Sequence, residues 1–383
     1  MLCNDYRGGG LPVIDMVSDN MSVTHIRNPS RHGDQRLRIA QVAPLYERVP
    51  PALYGGTERV VSYLTEELVR QGHDVTLFAS GDSITRARLV AVWDRALRLD
   101  DRRPEAASLH VLMVEEVFKR AAAFDVVHFH IDAMQLPLAR RHSTPCVMTM
   151  HGRLDIPGLD RLYGEFRDLP LISISDAQRA PLPDANWRAT VYHGVPPEMF
   201  RPSFTPGKYL AFVGRISPEK RVDRAIEIAR ASGVPLRIAA KVDPVDRAYY
   251  EAAIEPLIDG RFIQYLGEVD DRGKAGLLRD ALALLFPIDW PEPFGLAMIE
   301  SMACGTPVIA FRRGSVPEVI DDGDSGCIVD DVAGAVAAVQ RMPAWNRLRC
   351  REVFEQRFSV ARMARDYCEA YEGLRRRAWR LSS

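Results

Sequence analysis

Leu37-Arg-Ile-Ala-Gln-Val-Ala43, a loop carrying Pro50, Pro51, Gly55 and Gly56, the segment Thr57–Gln71, and then Asp74-Val-Thr-Leu-Phe-Ala79 decide the fold. The first and last pieces are apolar runs of strand length. Between them Val60, Val61, Leu64, Leu68 and Val69 recur at helical spacing, and Gly72 stands where a helix C-cap is expected. Strand, loop, helix and strand within about 45 residues make a βαβ unit, which requires parallel strands and a right-handed crossover.

The same order continues outward. Val126-Val-His-Phe-His130, Cys146-Val-Met-Thr-Met150 and Leu171-Ile-Ser-Ile174 are short buried-strand patterns. Pro196–Gly207, with Pro196, Pro197, Pro202 and Pro206, reads as a linker. Beyond it Tyr209-Leu-Ala-Phe-Val-Gly214, Leu236-Arg-Ile-Ala-Ala240, Phe262-Ile-Gln-Tyr-Leu266 and Ala283-Leu-Leu-Phe286 are strands, with Val222–Ser232 helical. The pattern predicts an α/β protein of two Rossmann-like, doubly wound domains facing across a cleft. They cover 37–205 and 206–359, after a loose extension over 1–36, and a last helix over about 360–383 packs back on the first domain. Ligands are expected outside the carboxyl ends of the strands.

A chain of 383 residues exceeds what one core usually holds, in keeping with two domains. Fifty Lys and Arg balance 51 Asp and Glu, which gives no electrostatic reason to expect a nucleic-acid partner. Cys3, Cys146, Cys304, Cys327, Cys350 and Cys368 have no zinc or redox-motif spacing, so free thiols in a reducing compartment are expected. No stretch reaches the roughly 20 apolar residues that span a bilayer. The first 35 residues, with Gly8-Gly9-Gly10 and no continuous apolar segment, do not read as a signal peptide, and Met16 or Met21 are alternative starts. A soluble cytoplasmic protein is expected.

The chemistry concentrates between Pro287 and Phe311. Glu292 is held in extended backbone by Pro291 and Pro293, and Phe294-Gly295 opens a helix that Gly305-Thr306-Pro307 ends. Glu300 falls about a turn and a half into that helix. Between the two carboxylates lie the free N–H groups of a helix N-terminus, which suit a phosphate. A phosphate flanked by carboxylates suits a molecule with hydroxyls at both ends, such as a sugar joined through a diphosphate to a ribose. Spacing alone would leave two glutamates eight apart as an accident. In Val213-Gly-Arg215-Ile-Ser-Pro-Glu-Lys220 a strand ends in a close turn, followed by two cations able to offset the growing charge of a leaving diphosphate. A solvated face is the plain alternative. There is no Gly-x4-Gly-Lys-Ser/Thr motif, which removes the main feature of an ATPase.

Glu292-Pro-Phe-Gly-Leu-Ala-Met-Ile-Glu300-Ser-Met-Ala-Cys-Gly-Thr-Pro-Val308 resembles the E-x7-E signature of family 4 retaining glycosyltransferases of GT-B fold, and the likeness runs from about Leu37 to the C-terminus. The resemblance implies that Glu300 binds the donor ribose and Glu292 the donor sugar hydroxyls. It implies that the N–H groups of Phe294, Gly295 and Leu296 face the β-phosphate, and that Arg215 and Lys220 hold the diphosphate. It also places Gly56 against the donor phosphate, Val269 beside the nucleobase and His151 at the sugar. His151 could alternatively be a general base or a structural residue, and Gly55-Gly56 with Thr57 as N-cap could be no more than a turn.

The implied reaction moves a sugar from a nucleotide diphosphate donor, UDP or GDP before ADP, to an unknown acceptor hydroxyl with retention. It uses no cofactor and no catalytic metal. His128 and His130 share one face of a strand and are read as structural, and Asp322-Gly-Asp324 is read as a turn. The basic end Arg375-Arg-Arg-Ala-Trp379-Arg380 is read as a solvated helix face, with peripheral contact to the inner membrane surface kept open. Two other classes remain: a GT-B epimerase or phosphorylase, and a nucleotide-sugar-binding module without catalysis.

Overall fold

The computed structural model describes residues 36–382, with backbone alone for 377–382. The extension over 1–35 and the side chains of the Arg377–Arg380 cluster lie outside the described residues.

Two sheets are built, each wholly from parallel pairs. The first takes β1 (Arg38–Val42), β2 (Asp74–Phe78), β3 (Arg88–Val90), β4 (Val126–Phe129), β5 (Cys146–Thr149), β6 (Leu171–Ser173) and β7 (Trp187–Thr190), in the order β3-β2-β1-β4-β5-β6-β7. The second takes β8 (Leu210–Arg215), β9 (Leu236–Lys241), β10 (Ile263–Gly267), β11 (Ala283–Phe286), β12 (Val308–Phe311) and β13 (Gly326–Val329), in the order β10-β9-β8-β11-β12-β13. Every residue of β4, β5, β11 and β12 is buried, as continuous apolar runs in a two-sided parallel sheet should be. The short edge strands β3 and β7, and β12 and β13 of the second sheet, escape the sequence reading. Trp187-Arg-Ala-Thr and Arg88-Leu-Val are too polar and too short to show a period.

The chain order reverses beside β1 in the first sheet and beside β8 in the second. Crevices at the carboxyl ends therefore open between β1 and β4 and between β8 and β11. The helices that matter for the site are α1 (Gly56–Arg70), α2 (Asp271–Arg279), α3 (Leu296–Ala303) and α4 (Val360–Ser382). α1 starts at Gly56, a residue earlier than its pattern suggests. Gly55, not Thr57, stands at the N-cap, with the Arg59 N–H donating to the Gly55 carbonyl at 3.2 Å. At the other end Gly72, at φ +90°, follows Gln71 and turns the chain so that the His73 N–H reaches the Leu68 carbonyl at 3.1 Å.

α4 leaves the second half and packs on α1. Tyr367 and Tyr371 are fully buried, in one continuous core with Leu64 and Leu68 of α1 and with Phe294 and Phe358. The described cysteines fill apolar space: Cys146, Cys304, Cys327 and Cys350 are buried, Cys368 half-buried, and these five are free thiols.

Candidate active site

The loops at both crevices meet in one cleft of about 580 Å³. Its walls include Gly56, His151, Arg215, Lys220, Val269, Glu292, Phe294, Gly295, Leu296 and Glu300. Gly56 of the first half faces Leu296 of the second so closely that a Cβ on Gly56 would lie 3.9 Å from Leu296 Cδ1. The N-termini of α1 and α3 are thus brought together.

At the α3 end, Gly295 adopts φ +85°, and a Cβ there would stand 2.8 Å from Met298 Cε and 2.9 Å from Phe286 Cζ. Only glycine fits both the backbone and the space. The Met298 N–H turns back to the Gly295 carbonyl at 3.0 Å. The N–H groups of Leu296 and Ala297 open the helix, where no preceding turn can supply carbonyls. The loop before the helix is braced by Gly314-Ser315. The Ser315 N–H donates to the Glu292 carbonyl at 3.0 Å and its hydroxyl to the Phe294 carbonyl at 2.8 Å. Gly314, at φ +51°, lies so near that a Cβ would be 2.4 Å from the Glu292 backbone nitrogen. This brace was not anticipated; a Gly-Ser pair just past a strand is the only trace it leaves in the sequence.

The charged groups arrive in pairs. Lys220 salt-bridges Glu292 and lies 5.0 Å from the centre of the Trp290 ring. Its loop is fixed by the Asp289 N–H donating to the Glu219 carbonyl at 2.9 Å. Arg215 faces Glu219 at 2.6 Å, Asp243 at 3.5 Å and Asp246 at 3.7 Å. Glu300, 2% exposed, pairs with Lys274, which also reaches Asp271 at 3.4 Å. Arg59, buried on α1, crosses from the first half to Asp271 and to the Leu53 carbonyl. Its cationic end was not singled out, because in a helix Arg59 looks like any exposed charge. Val269 precedes Asp270, which caps α2 by accepting the Gly273 N–H at 2.7 Å.

His151 lies at the carboxyl end of β5, half-buried in the cleft wall. Burial holds its imidazole pKa down at about 3, so it is neutral at physiological pH. Its ring stacks on His193 (centroids 5.4 Å apart), and its Nε2 lies 2.8 Å from His130 Nδ1. His193, a cleft residue missed in the sequence, sits 4.8 Å from the Phe294 ring. Asp322-Gly-Asp324 is a turn away from the cleft, with Gly323 at φ +92° and Asp324 paired with Arg349 at 3.1 Å.

Two facing parallel α/β sheets with a charged cleft at their carboxyl ends define the GT-B class of nucleotide-sugar enzymes. The family model for "Glycosyl transferases group 1" matches residues 198–344, and that for "Glycosyltransferase Family 4" matches 54–197. A D-inositol 3-phosphate glycosyltransferase of Saccharomonospora viridis is 30% identical over 303 residues, which is 64% of this chain and 69% of that protein. A GDP-mannose-dependent alpha-(1-6)-phosphatidylinositol dimannoside mannosyltransferase of Mycobacterium tuberculosis is 34% identical over 160 residues, 40% of this chain. The match spans only 41% of that mannosyltransferase's length. Among solved structures, AviGT4, a glycosyltransferase involved in avilamycin A biosynthesis, superposes with TM-score 0.69 and 25% identity over 88% of this chain and 98% of that one. The chain belongs to the group 1 glycosyltransferase family.

Proposed function

We propose that the protein transfers a hexosyl group from a nucleoside diphosphate sugar to an acceptor hydroxyl, with retention of anomeric configuration. The observation that carries this reading is the arrangement around α3. Its N-terminus is flanked by Glu292 and Glu300, with Lys220 bonded to the first and Arg215 lining the same cleft. A diphosphate seated on the Gly295–Leu296 backbone exchanges carboxylate partners for phosphate oxygens at Lys220 and Arg215. Charge growing on the departing phosphate is then met by cations already in place. Glu292 is released toward the sugar hydroxyls, Glu300 toward the ribose, Val269 lies beside the base, and His151 meets the sugar. The incoming hydroxyl gives its proton to the leaving phosphate oxygen as the glycosidic bond breaks. These cations fill the role of a divalent metal, and no cofactor is required.

The donor base is UDP or GDP. GDP-mannose in the name of the mycobacterial mannosyltransferase supports the second. The acceptor is a polysaccharide intermediate, a lipid or a small polyol. Any membrane contact is proposed to be peripheral; among the described residues no helix is long and apolar enough to cross a bilayer. The test is the anomeric configuration of the first product, read by proton NMR during turnover of the donor that binds. The donor's own anomer in the product supports the reading; the opposite anomer, or release of free sugar alone with every acceptor tried, overturns it.

A further inference from the structure

Behind His151 runs a row of buried polar groups that the reaction itself does not call for. His151 Nε2 lies 2.8 Å from His130 Nδ1, and His130 Nε2 is 2.7 Å from Gln41 Oε1. Gln41 Nε2 is 3.0 Å from the Tyr371 hydroxyl, which is 2.7 Å from His128 Nδ1. His128 Nε2 reaches the Thr149 hydroxyl at 2.7 Å, and that hydroxyl reaches Tyr367 at 3.1 Å. The row ties β1, β4 and β5 to α4. Gln41, His128, Tyr367 and Tyr371 are wholly buried, so the groups between the two ends of the row have to satisfy one another.

Direction follows from chemistry. A neutral imidazole donates through one nitrogen and accepts through the other, and a hydroxyl does one of each along a row. Burial drives the pKa of His128 and His130 well below the ordinary value, so both rings are neutral. Once one bond's direction is set, every other is set with it. The carboxamide of Gln41 is the member whose two ends differ: its oxygen can only accept and its nitrogen can only donate. With Oε1 on His130, that ring donates through Nε2 and accepts at Nδ1, so His151 must donate through Nε2. With Nε2 on Tyr371, the phenol donates to His128 Nδ1, His128 donates through Nε2 to Thr149, and Thr149 donates to Tyr367. Six hydrogen bonds run one way, from the cleft to α4.

We propose that Gln41 and Tyr371 are positioning residues that fix the tautomer of His151 through this row, leaving His151 with a hydrogen on Nε2 and a bare Nδ1. Taken with the proposed function, on which this last step rests, His151 meets the donor sugar as a hydrogen-bond acceptor. The site therefore selects a sugar with a free hydroxyl at that position over its O-methyl analogue.

The experiment is imidazole nitrogen NMR on the full chain with 15N-labelled histidine and no donor present, the signals assigned with His128→Gln, His130→Gln and His151→Gln. In the wild type His128, His130 and His151 are each expected as the Nε2–H tautomer. Gln41→Leu and Tyr371→Phe each cut the row; in whichever folds cooperatively, His151 becomes a mixture of tautomers. The donor KM then rises about three- to tenfold, the worth of one oriented hydrogen bond. An Nδ1–H tautomer at any of the three in the wild type overturns the proposal. So does a His151 that stays wholly Nε2–H in a folded variant. If neither variant folds, the wild-type pattern decides alone. Because the tautomers are read without donor, failure of the glycosyl-transfer reading leaves this result standing, and the reverse also holds.

Discussion

At the scale of single residues the site rests on two kinds of position: charges that move between partners and glycines that nothing else can replace. Lys220 and Glu292 satisfy each other in the cleft wall. Lys220→Ala is therefore expected to lower kcat by about 10²- to 10³-fold, the usual cost of losing one transition-state donor, with the folded state intact by circular dichroism. A kcat within about twofold of wild type would remove Lys220 from the leaving-group site. At Gly295 the strain of φ +85° and contacts with Met298 and Phe286 act together. Gly295→Ala is expected to cost about 2–4 kcal/mol in chemical denaturation and to weaken donor binding as well. Glu292, Glu300, Arg215 and Lys220 could be singled out because their motifs resemble those of a known family, and all four line the cleft; spacing alone would have left them as an accident and a solvated face. Gly314 and His193 could not be singled out, since each acts through a close approach between segments far apart in sequence.

At the scale of elements, α4 is the least expected contributor to the site. Its packing back on the first domain was expected, but Tyr367 and Tyr371 had no visible partners until β4 and β5 were placed beneath them. Their hydroxyls enter a polar row that strand periodicity cannot reveal, because the matching groups lie on four separate elements. The same burial has a consequence for pH. His128, His130, His151 and His193 all have folded-state pKa values below the ordinary 6.5, chiefly through burial. For a depressed histidine the unfolded chain binds the proton first. Stability is then fully present above pH 6.5 and falls as pH drops below it, by up to about 1.4 kcal/mol per pH unit for each histidine. Chemical denaturation between pH 7 and about 5.5 should show uptake of more than one proton on unfolding. A stability that is flat or rises over that interval would contradict the burial of the cluster.

On the scale of the whole molecule, the two halves are held together by more than the chain that joins them. Glu318, in the short helix Val316–Val319, accepts the N–H groups of Asp176 and Ala177 at 2.7 Å each and the Tyr192 hydroxyl at 3.1 Å. On the other side of the cleft the Tyr54 N–H donates to Glu268 at 2.8 Å, beside the Arg59–Asp271 pair. These bridges tie the two halves together where Gly56 adjoins Leu296. Glu318→Ala should shift the donor-free protein toward a larger radius of gyration in solution scattering and raise donor KM more than it lowers kcat. Unchanged scattering and kinetics would deny Glu318 that role. The two-sheet architecture was readable from strand and helix order alone. Which faces touch was not, because these bridges join single carboxylates to backbone N–H groups, a hydroxyl and an arginine, and carry no periodic signal.

The central claim is that the N-terminus of α3, with Lys220 and Arg215, holds the diphosphate of a nucleotide sugar. Isothermal titration of UDP and GDP into the wild type, Lys220→Ala, Arg215→Ala and Glu300→Gln tests it most directly. One nucleotide should bind the wild type, and each variant should lose about tenfold or more in affinity, the worth of a charged hydrogen bond. A wild type that binds neither nucleotide, or variants that bind as tightly as the wild type, would contradict the assignment.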